Sequence, residues 1–256
     1  MRVYLAATKC VWNLPNFEED WNQLYLLSTF FEFWKSKKLH PYVYSKRHIS
    51  DSGAFSTFTN PQLGKNINWD DYTKRYAAFV KENGNELYFE LDIDGIVGLP
   101  KVEDYRKLLE DTTGRPPIPV WHVNRGWDYF EMMCENYPYV AIGTTIANKT
   151  GQGIRKNPMI LKKFIDTAHK KGVKIHGLGF TDTKLLDKLH FDSVDSTSWT
   201  IARFGGICKF DGKYMTSVSK PDGMKMKYST SYWHRHNILE WVKYQKYMLN
   251  VNHDWK

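Results

Sequence analysis

Cysteine is scarce in this sequence: Cys10, Cys134 and Cys208 are the only three, and they lie far apart. No pair has the Cys-x-x-Cys spacing of a zinc site, and an odd count argues against a disulfide framework. A reducing, cytoplasmic setting is the expectation. Long apolar runs are missing too. No stretch approaches the ~20 residues of a membrane span, and Met1 to Ala7 has no extended apolar core of the kind a secretory leader carries. No membrane partner is expected. Neither internal repeats nor low-complexity segments occur. No Gly-x-Gly-x-x-Gly follows the first strand pattern and there is no phosphate-loop motif, which weakens an open, nucleotide-binding doubly wound sheet. Gly-x-Ser-x-Gly is absent, so a serine-hydrolase elbow is set aside. Acidic residues are in deficit. Asp plus Glu number 28 against 36 Lys plus Arg, a net charge of +8. That balance favours an acidic partner, nucleic acid first, with a merely basic soluble enzyme as the alternative.

What the 256 residues do contain is an alternation of short apolar runs and helical patterns. Val3 to Ala7 reads as a strand. Trp21, Leu24, Phe31 and Trp34 then share a helical face. Pro41 to Tyr44 reads as a second strand leading to Asp51. Trp69, Tyr72, Tyr76, Phe79 and Val80 predict a helix stopped near Gly84. Leu87 to Leu91, Ile118 to Val123, Tyr139 to Gly143 and Val173 to Gly179 predict strands, as does the stretch Phe191 to Trp199, a short buried strand ending in a carboxylate and a run of hydroxyls. Helices are predicted between them at Val102 to Leu109, at Trp127 to Cys134, from Asn157 and Pro158 to Gly172, and at Leu185 to Leu189. An eighth strand is expected in Ile207 to Phe210 or Tyr214 to Val218, and an amphipathic helix over 229–249.

Strands alternating with helices predict a parallel sheet with crossover connections. Seven or eight such units in one domain of this length predict an α/β fold, a (β/α)8 TIM barrel spanning 1–256, with 207–228 as a basic hairpin or loop insertion. Active residues of such a barrel sit where strands end. The strand ends supply Asp51, Asp92 with Asp94, His122, Gly143 with Thr144, His176 with Gly177, and Asp195. Carboxylates gathered at one mouth repel each other, so they must be solvated, paired or used. Plainer readings stand beside this. Asp51-Ser52-Gly53 suits a simple turn. His122 and His176 suit hydrogen-bonded core or rim positions. Asp192 suits a supporting role.

In this order the motifs resemble those of the tRNA-guanine transglycosylase (queuine tRNA-ribosyltransferase) family. Asp51-Ser52-Gly53-Ala54-Phe55-Ser56 resembles its Asp-Ser-Gly-Gly-Phe-Gln. Leu91-Asp92-Ile93 resembles its Phe-Asp-Glu. Ala141-Ile142-Gly143-Thr144 resembles its Ala-Ile-Gly-Gly, and Asp192-Ser193-Val194-Asp195-Ser196-Thr197 resembles its Asp-Met-Phe-Asp-Cys-Val. The resemblance covers about Asp51 to Gly206. The family's cysteine-rich zinc site is absent, Ala54 and Ser56 replace a glycine and a glutamine, and His122 stands about where the family has a base-contacting glutamine. The compact, zinc-free form is most similar to phage-type enzymes that insert 7-deazaguanines into DNA.

The resemblance implies a pentosyltransferase without cofactor or metal. It would exchange guanine for a free 7-deazaguanine of the preQ0 or preQ1 type, in DNA by preference or in tRNA, in the host cytoplasm if phage-encoded. It implies Asp195 as nucleophile and Asp51 as general acid and base. Asp92 would read the base, Phe55 would stack on it, and Ser52, Gly53, His122, Gly143, Thr144, His176 and Gly177 would line its pocket. Independently of the resemblance, Arg203, Lys209, Lys213, Lys220, Lys225 and Lys227, with Tyr214 and Tyr228 interleaved, fit a phosphate-contacting channel. The competing classes are a catalytically inactive nucleic-acid-binding barrel and a hydrolase of small sugars.

Overall fold

The computed structural model describes residues 1–7, 24–36, 47–54, 67–143, 154, 157–219 and 230–251. Among these, eight strands form one sheet: β1 (Arg2–Leu5), β2 (Tyr25–Thr29), β3 (His48–Asp51), β4 (Leu87–Tyr88), β5 (Val120–Trp121), β6 (Tyr139–Gly143), β7 (Lys174–Leu178) and β8 (Ser193–Ser196). The order is β4-β3-β2-β1-β8-β7-β6-β5 and every ladder is parallel. Parallel neighbours need long crossovers. The helices described along these connections are α1 (Phe30–Ser36), α2 (Trp69–Glu82), α3 (Asp94–Val97), α4 (Leu99–Thr113), α5 (Gly126–Asn136), α6 (Pro158–Lys170) and α7 (Thr183–Leu186). A final helix, α8 (Thr230–Val251), follows an antiparallel hairpin of β9 (Gly206–Phe210) and β10 (Met215–Ser219). None of the described helices is long and apolar enough to cross a membrane.

The sheet is curled. The ring of Phe89, just past β4, lies 5.0 Å from that of His176 on β7, although these strands stand far apart in the sheet order. Two edges approach each other there. Phe89 and Ile118 form a parallel bridge, with Ile118 N–H donating to Tyr88 O at 2.8 Å and Glu90 N–H to Ile118 O at 3.1 Å. Apolar packing accordingly falls into two layers. Tyr4, Leu27, Ile49, Phe89, Val120, Tyr139 and Ala141 cluster on the concave side. The alternate strand residues, such as Val3, Leu26, Trp121, Val140 and Ile175, join the helices in a larger outer cluster. This is the period of two expected when both faces of a strand are covered.

The helices also fix strand ends. In α2 the Asn68 side chain caps Asp71 N–H, and Tyr72, Tyr76, Phe79 and Val80 are buried. Burying side chains of this size contributes roughly 1.5–3 kcal/mol each. Their hydroxyls do more than fill space. Tyr72 donates to Ser52 O, and Tyr76 contacts both Ser50 O and Phe89 O at 3.1 and 3.0 Å. The end of β3, where Asp51 stands, is thereby pinned to the exit of β4. Asn157 caps α6 and Pro158 opens it, as the sequence predicts.

Three expectations change. Tyr25–Thr29 is a strand, although Leu24, Phe31 and Trp34 fall at helical spacing around it; Leu26, Leu27 and Ser28 are all buried, so the strand shows no alternation. The strand bearing Asp51 is His48–Asp51, while 41–46 lie outside the described residues. Neither 207–210 nor 214–218 joins the large sheet; they pair with each other in the hairpin. β2 is the member that brings the parallel sheet to eight.

Candidate active site

The C-terminal rim of the curled sheet, where the mouth is expected, carries Asp51 at the end of β3 and Asp195 on β8. Period-two alternation sends Asp51, the last residue of β3, to the same side as Ile49, and Asp195 of β8 to the same side as Ser193. Asp51 accepts from Gly53 N–H at 3.1 Å and from the Ser52 hydroxyl at 3.5 Å. Gly53 is required in this turn. Its φ is +75°, and a Cβ there would come within 2.6 Å of Phe31 Cβ. The turn that Asp51-Ser52-Gly53 suits is present, and its hydrogen bonds fix the direction of the carboxylate. Burial, chiefly, raises the Asp51 carboxyl to about 6, and the nearby Asp195 charge pushes in the same direction. Asp92 is raised well above the usual carboxylate range, first by burial and then by Asp51 and Glu90. Three carboxylates from three strand ends therefore share one electrostatic neighbourhood.

Asp195 is held firmly. Its Oδ1 accepts from Gly179 N–H at 2.6 Å and from His176 Nε2 at 3.3 Å. Asp192 faces away and supports the fold: it accepts from Ile175 N–H at 2.8 Å and His169 Nε2 at 3.0 Å. His122 is buried beside Asp92. It is 1% exposed, its Nε2 lies 3.8 Å from Asp92 Oδ2, and neither ring nitrogen has a hydrogen-bond partner among the described residues. Burial, with help from the Arg125 charge, lowers it to about 4, so the ring is neutral at physiological pH. A Cβ on Gly143 would stand 2.4 Å from that ring. Gly143 is what makes room for the His122 ring.

Other expected lining residues turn elsewhere. His176 is completely enclosed one layer beneath Asp195, against Tyr4 and Phe89, and so does not face the mouth. Gly177 has its vacant side toward Phe180 and Phe191 in the outer layer. The Ser52 side chain is buried and accepts from Ala54 N–H at 3.3 Å, serving the turn. Phe55, Thr144, Lys220, Lys225 and Lys227 lie outside the described residues. Of the basic set, Arg203 and Lys209 are exposed, Arg203 also donating to Thr200 Oγ1 at 3.0 Å. Lys213 is exposed but already paired with Asp187 at 3.1 Å.

Two groups escaped sequence reasoning. Ser193 and Tyr139 join His176 in a buried polar chain; the available signal was Ser193 standing two residues before Asp195, hence on the same face. Glu90 is the other. Fully buried, it pairs with Arg106 at 2.6 Å and Arg125 at 2.9 Å, and accepts Val120 N–H at 2.8 Å. Asp94 pairs with Arg125 at 3.3 Å and Asn124 at 3.0 Å, so it is a structural partner. Comparison of the chain with protein-family models, curated proteins and solved structures returns no match.

Proposed function

We propose that this chain is a base-exchange transglycosylase that replaces guanine in nucleic acid, DNA by preference, with a 7-deazaguanine base. The observation that carries the reading is that Asp51, at the end of β3, shares an electrostatic neighbourhood with Asp92 and with Asp195 of β8. In the same proposal the curled sheet closes as a (β/α)8 barrel, supported by the Phe89–Ile118 bridge and the Phe89–His176 contact across the interior.

Asp195 attacks C1′ of the target nucleoside. The C1′–N9 bond breaks with its electrons going to the base, and Asp51 supplies the proton that the departing guanine takes up. The incoming base then attacks C1′, the C1′–O bond electrons return to the Asp195 carboxylate, and Asp51 receives the proton the new base loses. Two displacements give retention. A carboxyl raised to about 6 suits both proton transfers near neutrality. Asp92, with the buried His122 ring packed beside it, offers its carboxyl oxygens to the edge of a heterocycle. The target nucleotide must be unstacked to reach the mouth. The net charge of +8 and the exposed Arg203 and Lys209 suit phosphate contacts.

The test is exchange of isotopically labelled guanine into DNA and tRNA side by side. Wild type incorporates label, and Asp195→Ala loses both incorporation and any covalent protein–nucleic acid adduct while still binding. Absence of exchange on either polymer, or an active Asp195→Ala enzyme, overturns the reading.

A further inference from the structure

The buried groups beneath Asp195 form a continuous hydrogen-bonded chain that the exchange chemistry above does not use. Tyr139 OH and Ser193 Oγ lie 2.5 Å apart, Ser193 Oγ is hydrogen-bonded to His176 Nδ1, and His176 Nε2 lies 3.3 Å from Asp195 Oδ1. His176 and Ser193 are completely buried, and Tyr139 nearly so. The aromatic rings of Tyr4 and Phe89 flank the imidazole at 6.2 and 5.0 Å. Nothing in this surround competes for the ring nitrogens.

Proton accounting gives the chain a direction. As the attacking carboxylate of the proposed exchange, Asp195 only accepts, and Nε2 then carries the proton toward it. Nδ1 is then free to accept from the Ser193 hydroxyl, whose oxygen accepts in turn from Tyr139. Each hydroxyl donates once, and the imidazole is locked in its Nε2–H tautomer by what stands behind it. The second donor, Gly179 N–H at 2.6 Å, reaches the same oxygen. Among the described residues Oδ2 accepts no bond. The two oxygens of Asp195 are therefore not equivalent.

We infer that His176 is a positioning residue for Asp195: with Gly179 N–H it holds Oδ1 and leaves Oδ2 as the oxygen that bonds to C1′. The inference rests on the base-exchange reading of the site. Its consequence differs between the two displacements. In the covalent ester the bond is C1′–Oδ2, and Oδ1 is an uncharged carbonyl oxygen. When the incoming base attacks C1′, the C1′–Oδ2 electrons return to the carboxylate and negative charge reappears on Oδ1. Two donors already aimed there stabilise that charge as it develops, as an oxyanion hole does. The donors favour the free carboxylate over the ester. Removing one should therefore slow ester breakdown and let the adduct accumulate.

The experiment compares His176→Gln, His176→Asn and His176→Met in the full-length protein, with Ser193→Ala as a milder variant. The Gln amide nitrogen stands about where Nε2 does and keeps the donor toward Asp195. Asn places its amide near Nδ1 and loses that donor, and Met keeps only the bulk. Guanine exchange and the fraction of enzyme trapped as nucleic-acid adduct are measured together, with melting temperatures as a control on folding. His176→Asn and His176→Met should lose roughly 10–100-fold in kcat, with the KM for nucleic acid falling alongside it because adduct accumulates. Their steady-state adduct should rise above wild type, and His176→Gln should stay close to wild type in both. Ser193→Ala should move the same way by less. A packing defect would lower adduct and turnover together. Equal behaviour of the three His176 variants, or adduct falling in step with kcat, overturns the inference while leaving an active wild type and the base-exchange reading intact. A wild type that neither exchanges guanine nor forms adduct overturns both. The nitrogen-15 spectrum of the imidazoles needs no substrate, the His176 signals being those lost in His176→Gln. Protonated Nε2 with bare Nδ1 supports the chain, and the opposite tautomer overturns it.

Discussion

Asp51 carries a cost that its position in the turn makes measurable. Its carboxyl is raised from 3.8 to about 6 in the folded protein, mainly by burial. Below pH 4 the group is protonated folded and unfolded, and it penalises neither state. Between pH 4 and 6 the unfolded chain gives up the proton while the folded one retains it, so the folded state loses stability; above about 6 the loss is complete. Asp51→Asn should match wild type in stability below pH 4 and exceed it by roughly 1–3 kcal/mol above pH 7, read from denaturant midpoints, while exchange activity disappears. A gap independent of pH would sever the link to titration. The neighbouring pair Gly143 and His122 gives a second residue-scale prediction. With a Cβ at 2.4 Å, the imidazole must move. Gly143→Ala should reduce stability and displace the ring from Asp92. His122→Ala should relieve that clash, with a coupling between the two changes of about 0.5–3 kcal/mol in a double-mutant cycle. Strict additivity would mean that the two positions do not touch in solution.

At the scale of elements, the place to look is where the two edges of the sheet approach. β4 and β5 hold only Leu87–Tyr88 and Val120–Trp121, so the backbone ladder there is short. The Glu90 side chain supplies what the ladder does not. One oxygen accepts Val120 N–H and Arg125, the other accepts Arg106, and Arg106 reaches Tyr129 OH at 3.1 Å. This clasp joins the exit of β4 to β5, α4 and the turn before α5. A buried carboxylate among cations is strongly destabilising to break, because the partners are left charged and dry. Glu90→Gln should cost about 3–5 kcal/mol in equilibrium unfolding, against near-neutral replacement of an exposed acid such as Asp71, paired only with Arg75 on the surface of α2. A cost below 1 kcal/mol would show that the edges are held by other means. On the far side of the molecule α8 anchors the hairpin by its side chains: Asn237 accepts Cys208 N–H at 2.8 Å and Glu240 accepts Phe210 N–H at 2.7 Å.

For the whole molecule, charge makes the prediction. The mouth itself is acidic, while the chain carries a net +8. Under the proposed function, a polyanion would be attracted by the basic surface rather than by the acidic mouth. Binding to DNA should weaken steeply with salt, log Kd rising linearly with log salt at close to one unit of slope per phosphate contacted. Neutralising Arg203 and Lys209 together should lower that slope by about 2, measured by fluorescence anisotropy. An unchanged slope would place the polymer on another surface.

Local pattern carried a good part of this architecture. Tyr139–Gly143 and the cap of α6 at Asn157 were legible because short apolar runs and capping residues act within one element. Asp51, Asp92 and Asp195 were legible as strand-end acids. β2 was not, since a five-residue strand buried on both faces has no period to read and is flanked by residues at helical spacing. His176 was legible as a hydrogen-bonded core or rim histidine, but its partners were not. Whether a histidine on a strand meets solvent or a serine depends on the neighbouring strand, and Ser193 and Tyr139 come from 17 and 37 positions away along the chain. Glu90 is the same case, a charge tolerated in the core only because two arginines from separate elements converge on it. The sequence by itself determined which residues could form strands and helices and which strand ends bear carboxylates, because these follow from local propensity and spacing. Only the tertiary structure decided which carboxylates share a field and which oxygen of Asp195 is held, because burial and hydrogen bonding depend on distances that the curl of the sheet sets.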